Sequence, residues 1–391
     1  MYICFAKKDR IMDLTDFNDI APFNDEETAA ALSRLANHPN TPWISRYIFP
    51  DQPASFLAEL LRSIHTVDEF QHTVMCKAVE WVINTTMKEF SYEGLENIKN
   101  LKGNYLAMSN HRDIILDPAI MQVVLMKNGL QPTEICVGDN LLKQKSVELL
   151  IRSNRMIKVI RGISARELYL SSQQLSKYIR ESITSGHNSV WIAQRQGRTK
   201  DGIDVTEQGL LKMVDMSGTK DFVENFKEVQ IVPISMSYEY EPCDILKARE
   251  MLISRTQKYV KRELEDLESI ILGIKQYKGH VHMNIDTPIT EAEIIEAAEC
   301  DKNDRYKKMR YAVDRRVIQG YKLWKTNYMA YDWVNNTTKY SDHYDAVDME
   351  DFQAYIAGQL KTVESTLDQK ELQDILLHIY SNPVLNKENF V

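Results

Sequence analysis

At 391 residues, with 43% apolar and 27% charged side chains, the chain has ordinary globular composition and enough length for one large domain or two modest ones. A net charge of −8 argues against a nucleic-acid-binding protein as a whole, and the longest apolar runs, such as Val123-Val124-Leu125-Met126, fall far short of the roughly 18 residues that a membrane span needs. The five cysteines (Cys4, Cys76, Cys136, Cys243, Cys300) are odd in number and never spaced as Cys-x-x-Cys, which indicates neither a disulfide framework nor a zinc site.

The first ten residues hold no apolar stretch long enough for a secretion signal, and Met12 is an alternative start; the expected location is the cytoplasm, with any membrane contact peripheral. Residues 1–95 read as mainly helical. Asp25-Glu26-Glu27-Thr28 opens one helix, Phe56 to His65 forms another, and Val67 to Phe90 carries Phe70, Val74, Ala78, Val82 and Met87 mostly at steps of three and four. From Asn104 the pattern changes. Apolar runs at 104–109, 133–137, 156–160, 189–193, 229–237 and 280–285 read as strands, with helices between several of them.

The helices have legible ends. Asp117 is placed to cap a helix that begins at Pro118 and stops before Gly129, while Ser164 and Glu167 make a capping box for a helix with Leu168, Leu175, Ile179 and Ile183 as its stripe, ended by Gly186. Strand Ile231-Val232-Pro233-Ile234 has an early proline, which suggests an edge or a strand start. A single long charged helix is expected over about 245–276, and from Glu291 the chain is helical again, with Lys322 to Tyr328 as an aromatic-rich connector. The alternation between 96 and 290 predicts an α/β domain with a mostly parallel sheet flanked by helices, between helical regions at 1–95 and 291–391, the latter packed on it. In such sheets ligands gather at the carboxyl ends of strands.

His111 falls at such an end, in Met108-Ser109-Asn110-His111-Arg112-Asp113-Ile114-Ile115-Leu116-Asp117. An imidazole takes up a proton near neutral pH, and a carboxylate on its far nitrogen fixes the tautomer; this is the layout of a general base and its orienter. No serine or cysteine stands in a Gly-x-Ser-x-Gly elbow, so the attacking oxygen has to come from a substrate hydroxyl. His-Arg-Asp also opens the protein-kinase catalytic loop, but the metal-binding Asn of that loop is Pro118 here. Arg152, Arg155, Lys158, Arg161 and Arg166 form a basic run, and Arg195, Arg198 and Lys200 sit on a turn with Gln196 and Gly197, which suits a small anionic ligand or an anionic surface.

Four segments in order, Asn110-His111-Arg112 to Asp117, Lys158 to Gly162, Gln196-Gly197-Arg198-Thr199-Lys200-Asp201-Gly202 and Val232-Pro233-Ile234, resemble the four blocks of the phospholipid/glycerol acyltransferase family. The resemblance covers about 90–240. It implies that His111 deprotonates an acceptor hydroxyl that attacks the thioester of an acyl carrier protein or coenzyme A conjugate, with no metal and no organic cofactor. It further implies substrate-binding roles for Asn110, Arg112, Arg161, Arg195, Gln196, Gly197, Arg198 and Lys200, a lysophosphatidic acid or glycerol 3-phosphate acceptor, and peripheral contact with the inner face of the cytoplasmic membrane.

Two departures stand out. Five residues separate His111 from Asp117 where the family has four, so the orienting carboxylate is Asp117, the preferred choice, or Asp113. The third block has Gln196 for the family's glutamate and a Gly-to-Arg spacing one shorter, which keeps open an O-acyl transfer to a hydroxyacyl amino-acid lipid precursor. A non-catalytic lipid-binding protein is the remaining alternative.

Overall fold

The computed structural model describes residues 17–390 except 162, 163 and 263; Cys4, Met12 and Gly162 lie outside the described residues. Seven strands form one sheet: β1 (Met87–Glu93), β2 (Leu106–Ser109), β3 (Glu134–Gly138), β4 (Met156–Val159), β5 (Val190–Ala193), β6 (Ile231–Tyr238) and β7 (Gly279–Ile285). Their order is β1-β7-β6-β2-β5-β3-β4, and every neighbouring pair is parallel except β6 with β7. The mostly parallel α/β sheet with flanking helices agrees with the alternation in the sequence, and all six expected strands are present.

The two faces bury different sets of side chains, as a sheet covered on both sides requires. Leu106, Met108, Ile157, Val190 and Ile192 meet helices Ala165–Thr184, Gln208–Met216 and Asp304–Gly320 on one face. Ala107, Ile135, Trp191, Val232 and Ile234 meet helices Cys76–Thr86 and Leu116–Lys127 on the other. Leu32, Leu57, Leu61 and Phe70 build a separate cluster from the amino-terminal helices. Helices Asp244–Thr256, Lys325–Asn335, Ala346–Leu360 and Gln369–Asn389 pack around Phe352, Ile375 and Tyr380.

Four expectations are corrected. The helix from Val67 stops at Thr86, with a π-helical turn at Gln71–Met75, and the chain then turns into β1. β1 has β7 as its one partner and exposes most of its residues, so it carries little apolar alternation, while Met87 and Phe90 extend the helical spacing by coincidence. The helix expected over 245–276 is two, Asp244–Thr256 and Glu265–Lys275, separated at Leu264, whose φ of 67° cannot continue a right-handed helix. Lys325 to Tyr328 belong to helix Lys325–Asn335 instead of a connector, with Trp324 as the residue before its first turn.

Pro233 sits in an inner strand and not at an edge: its carbonyl accepts from Asp286 N–H, so its missing donor faces the place where β7 has ended. The capping box of Ser164 and Glu167 forms as read. Among the described residues no helix is long and apolar enough to cross a membrane.

Phe352 is 0% exposed and meets Trp333 and Tyr380 edge-on. Phe352→Ala should therefore cost about 3–5 kcal/mol in urea unfolding; a cost near zero would show that the carboxyl-terminal helices are not closely packed.

Candidate active site

All four residues of β2 are buried, and the strand releases the chain at Asn110 into a short loop that ends in helix Leu116–Lys127. The loop is organised by one carboxylate. Asp117 Oδ2 accepts from Arg112 N–H at 2.6 Å and Asp113 N–H at 2.9 Å and lies 3.2 Å from His111 Nδ1; its Oδ1 accepts from Tyr238 O–H at 2.8 Å. Tyr238, on the last residue of β6, is held protonated because burial, and then the charge of Asp117, push its phenol well up. The His111 side chain is 15% exposed, whereas Asp117 is fully covered, so the ring stands between the buried carboxylate and the crevice. Trp191 from β5 meets its edge, with ring centres 6.1 Å apart.

The two aspartates divide the work differently from the sequence reading. Asp113, the alternative orienter, turns its Oδ1 to the N–H groups of Ile115 and Leu116, both at 2.8 Å, and so holds the turn that leads into the helix, whose N-cap is Ile115 and not Asp117. The helix begins at Leu116, and Asp117, already inside its first turn, faces back over the loop. Asn110 and Arg112 are not turned to a substrate either. The carboxamide of Asn110 donates to Met236 O at 3.0 Å and accepts from Met236 N–H at 2.8 Å, stitching the end of β2 to β6. Arg112 is completely buried between Asp204 at 2.5 Å and Glu241 at 3.3 Å, with its guanidinium 4.9 Å from the ring centre of Tyr321, and Lys247 closes the cluster by donating to Glu241 and to Arg112 O. A buried charge needs such partners, and they come from segments far away in the chain.

The basic residues are also dispersed. In the run beginning at Arg152, Arg152 donates to Asn18 O and Ala21 O, Arg155 pairs with Asp68 and Gln71, and Arg166 is exposed. Lys158 and Arg161 at the end of β4, with Arg195 and Gln196 after β5, line a cavity of about 240 Å³ between the sheet and helix Ala165–Thr184. Arg161 presses on Gly138, where a Cβ would lie 2.8 Å from its Cζ, and burial lowers its pKa against the pull of Asp139 and Asp266. Arg198 lines a second cavity with Arg249, Tyr259 and Arg262, and Lys200 is paired with Glu250. Gly197, at φ 74°, makes the turn between the two. Arg195 Nε and Arg198 Nη1 are buried and make no hydrogen bond among the described residues.

Sequence reasoning missed Tyr238, Asp204 and Asp266. Asp266 donates nothing but accepts from Asn140 at 2.9 Å and feels both Arg161 and Arg198; burial pulls its carboxyl up, and Lys261 and Asn140 outweigh that and hold it low. A signal existed for Tyr238 alone: a tyrosine that ends an apolar strand needs an acceptor for its hydroxyl.

The family model described as Acyltransferase matches residues 89–237. A glycerol-3-phosphate acyltransferase of Pseudomonas fluorescens (strain SBW25) is 24% identical over 228 residues, which are 57% of this chain and 26% of that protein, so the chain spans about a quarter of the length of this relative. The crystal structure of the 1-acyl-sn-glycerophosphate (LPA) acyltransferase PlsC from Thermotoga maritima superimposes with a TM-score of 0.40 at 13% identity, over 75% of this chain and 92% of that one. The matched segment runs from β1 to the penultimate residue of β6 and contains His111, Asp117, Arg161 and Arg198; over this stretch, less than half of the chain, the sequence is similar to the acyltransferase family.

Proposed function

We propose that this chain transfers a fatty acyl group from a thioester donor to the hydroxyl of a glycerol-phosphate acceptor, lysophosphatidic acid or glycerol 3-phosphate. The observation that carries the reading is the His111–Asp117 pair: Nδ1 is occupied by the buried carboxylate, which leaves Nε2 as the nitrogen available to a hydroxyl. His111 takes the proton from the acceptor, the oxygen attacks the thioester carbonyl, and the tetrahedral intermediate collapses to an ester while the proton passes to the departing thiolate. The amides of Arg112 and Asp113 are spent on Asp117, so the 196–198 turn is the better source of donors for the oxyanion.

Support for a phosphate on the acceptor comes from Arg195 Nε and Arg198 Nη1, which are buried without a partner among the described residues, and from the glycerol-3-phosphate acyltransferase activity of the Pseudomonas relative. Lys200 is removed from this set by Glu250. The donor is an acyl carrier protein or coenzyme A thioester, and contact with the bilayer is peripheral.

His111→Ala should lower turnover about 10²–10⁴-fold while the thermal unfolding midpoint hardly moves; activity within tenfold of the unaltered protein would refute the mechanism. Asp117→Asn should reduce turnover far more than Asp113→Asn, because asparagine caps a helix nearly as well as aspartate but cannot hold the imidazole in the required tautomer. The reverse ranking would transfer the orienting role to Asp113. Arg198→Ala should raise KM for lysophosphatidic acid and glycerol 3-phosphate, with Arg198→Lys a partial rescue, since an ammonium lacks the planar fork. Indifference of Arg198→Ala, together with preference for a phosphate-free hydroxyacyl lipid, would overturn the assignment of the acceptor.

A further inference from the structure

Helix Gln369–Asn389 lies outside the segment matched by the family, yet it reaches the turn that carries Arg198. Two carboxamides one helical turn apart grip consecutive carbonyls of that turn: Asn382 Nδ2 donates to Asp201 O at 2.6 Å and Asn386 Nδ2 to Gly202 O at 3.0 Å. Between them stands Pro383, which has no N–H to give to Ile379 O. Gly202 seats directly on that carbonyl. A Cβ at position 202 would lie 2.3 Å from Ile379 O and 3.1 Å from Pro383 Cδ, and the residue has a φ of 76°, so only glycine fits.

The other end of the same turn is bound to the catalytic loop. Thr199 N–H donates to His111 O at 2.7 Å, and Thr199 Oγ1 donates to Asp204 Oδ1 at 3.0 Å, the carboxylate that also holds Arg112. The four residues from Thr199 to Gly202 are thus strung between His111 and the helix, with Arg198 immediately before the first anchor.

We propose that Asn382 and Asn386 are positioning residues for the acceptor: by fixing Asp201 and Gly202 they set where the Arg198 guanidinium stands relative to His111. The inference rests on the acyl-transfer reading for its substrate, but the clamp itself is a property of the fold. A helix that merely stabilised the protein would, when weakened, lower the unfolding temperature and the active fraction and leave Michaelis constants unchanged. A clamp that positions the cation changes the acceptor constant and leaves the donor constant alone, because small displacements of a positioning group are costly.

The test compares the unaltered chain with Asn382→Ala/Asn386→Ala and with Asn386→Asp, which keeps the shape and removes the donor. Acceptor KM for glycerol 3-phosphate and lysophosphatidic acid should rise roughly tenfold, donor KM should stay within about twofold, and amide hydrogen exchange over 196–204 should accelerate while that of β2 stays as it was. Should the double variant lose its fold, Asn386→Ala alone carries the same comparison. Unchanged exchange over 196–204 overturns the clamp; faster exchange with an unchanged acceptor KM overturns its positioning role. If the unaltered chain acylates neither acceptor, the proposed function falls, and the exchange measurement still decides the clamp.

Discussion

A carboxylate sealed from water has to be met by donors, and the whole crevice is arranged around the way Asp117 is met. Two backbone N–H groups and an imidazole of the loop, and a phenol from a distant strand, converge on it from two separate parts of the chain. The loop can therefore take few shapes: a residue that left its place would strip a donor from a buried anion. Rigidity of this kind is what a general base needs, because its proton transfer depends on where the ring stands more than on how much surface it buries. Tyr238 contributes from β6, so the strand beside β2 helps to fix the carboxylate on which the His111 ring rests.

A second layer of charge supports the first. Arg112, Asp204, Glu241 and Lys247 form a fully covered cluster, and Lys247 Nζ donates to Arg112 O beside the same loop. Glu241 in turn receives its position from Tyr380, whose hydroxyl accepts from Glu241 N–H. Through these contacts the helices after residue 291 are joined to the residues flanking His111. Buried ion pairs of this kind contribute little net stability, since desolvation offsets most of their attraction, but removal of one partner leaves a bare charge and is severe. Their effect is to fix one arrangement of segments that are remote in sequence.

Much of this was legible in the sequence. The strands that end at the crevice are central and apolar on both faces, so the runs at 104–109, 189–193 and 229–237 announced themselves, and His111 followed from its place at the end of one. β1 was hidden because an edge strand shows water a polar surface. The preference for Asp117 as the carboxylate beside His111 agrees with the structure, but its expected helix cap does not form, because spacing alone does not tell which way a carboxylate turns; that is decided by Tyr238 and by the N–H groups of residues 112, 113, 115 and 116. Asn110 and Arg112 looked available for a substrate for the same reason: their partners lie about 90 to 130 positions away. Cationic residues near a motif invite a binding role, and only the fold reveals that Lys200, Arg152 and Arg155 are already occupied.

The strand order has a consequence for where this protein can be cut. β1 pairs with β7, and β7 also covers the outer edge of β6, although the family-matched segment stops at residue 237. Every residue of β6 is buried. A fragment ending with the matched segment would leave β1 without a neighbour and present β6, buried throughout in the whole chain, as a bare and mostly apolar edge, the kind of template on which chains pair with one another. The family-matched segment and the smallest independently folding piece are thus different stretches of this chain, and the second must extend at least through Ile285.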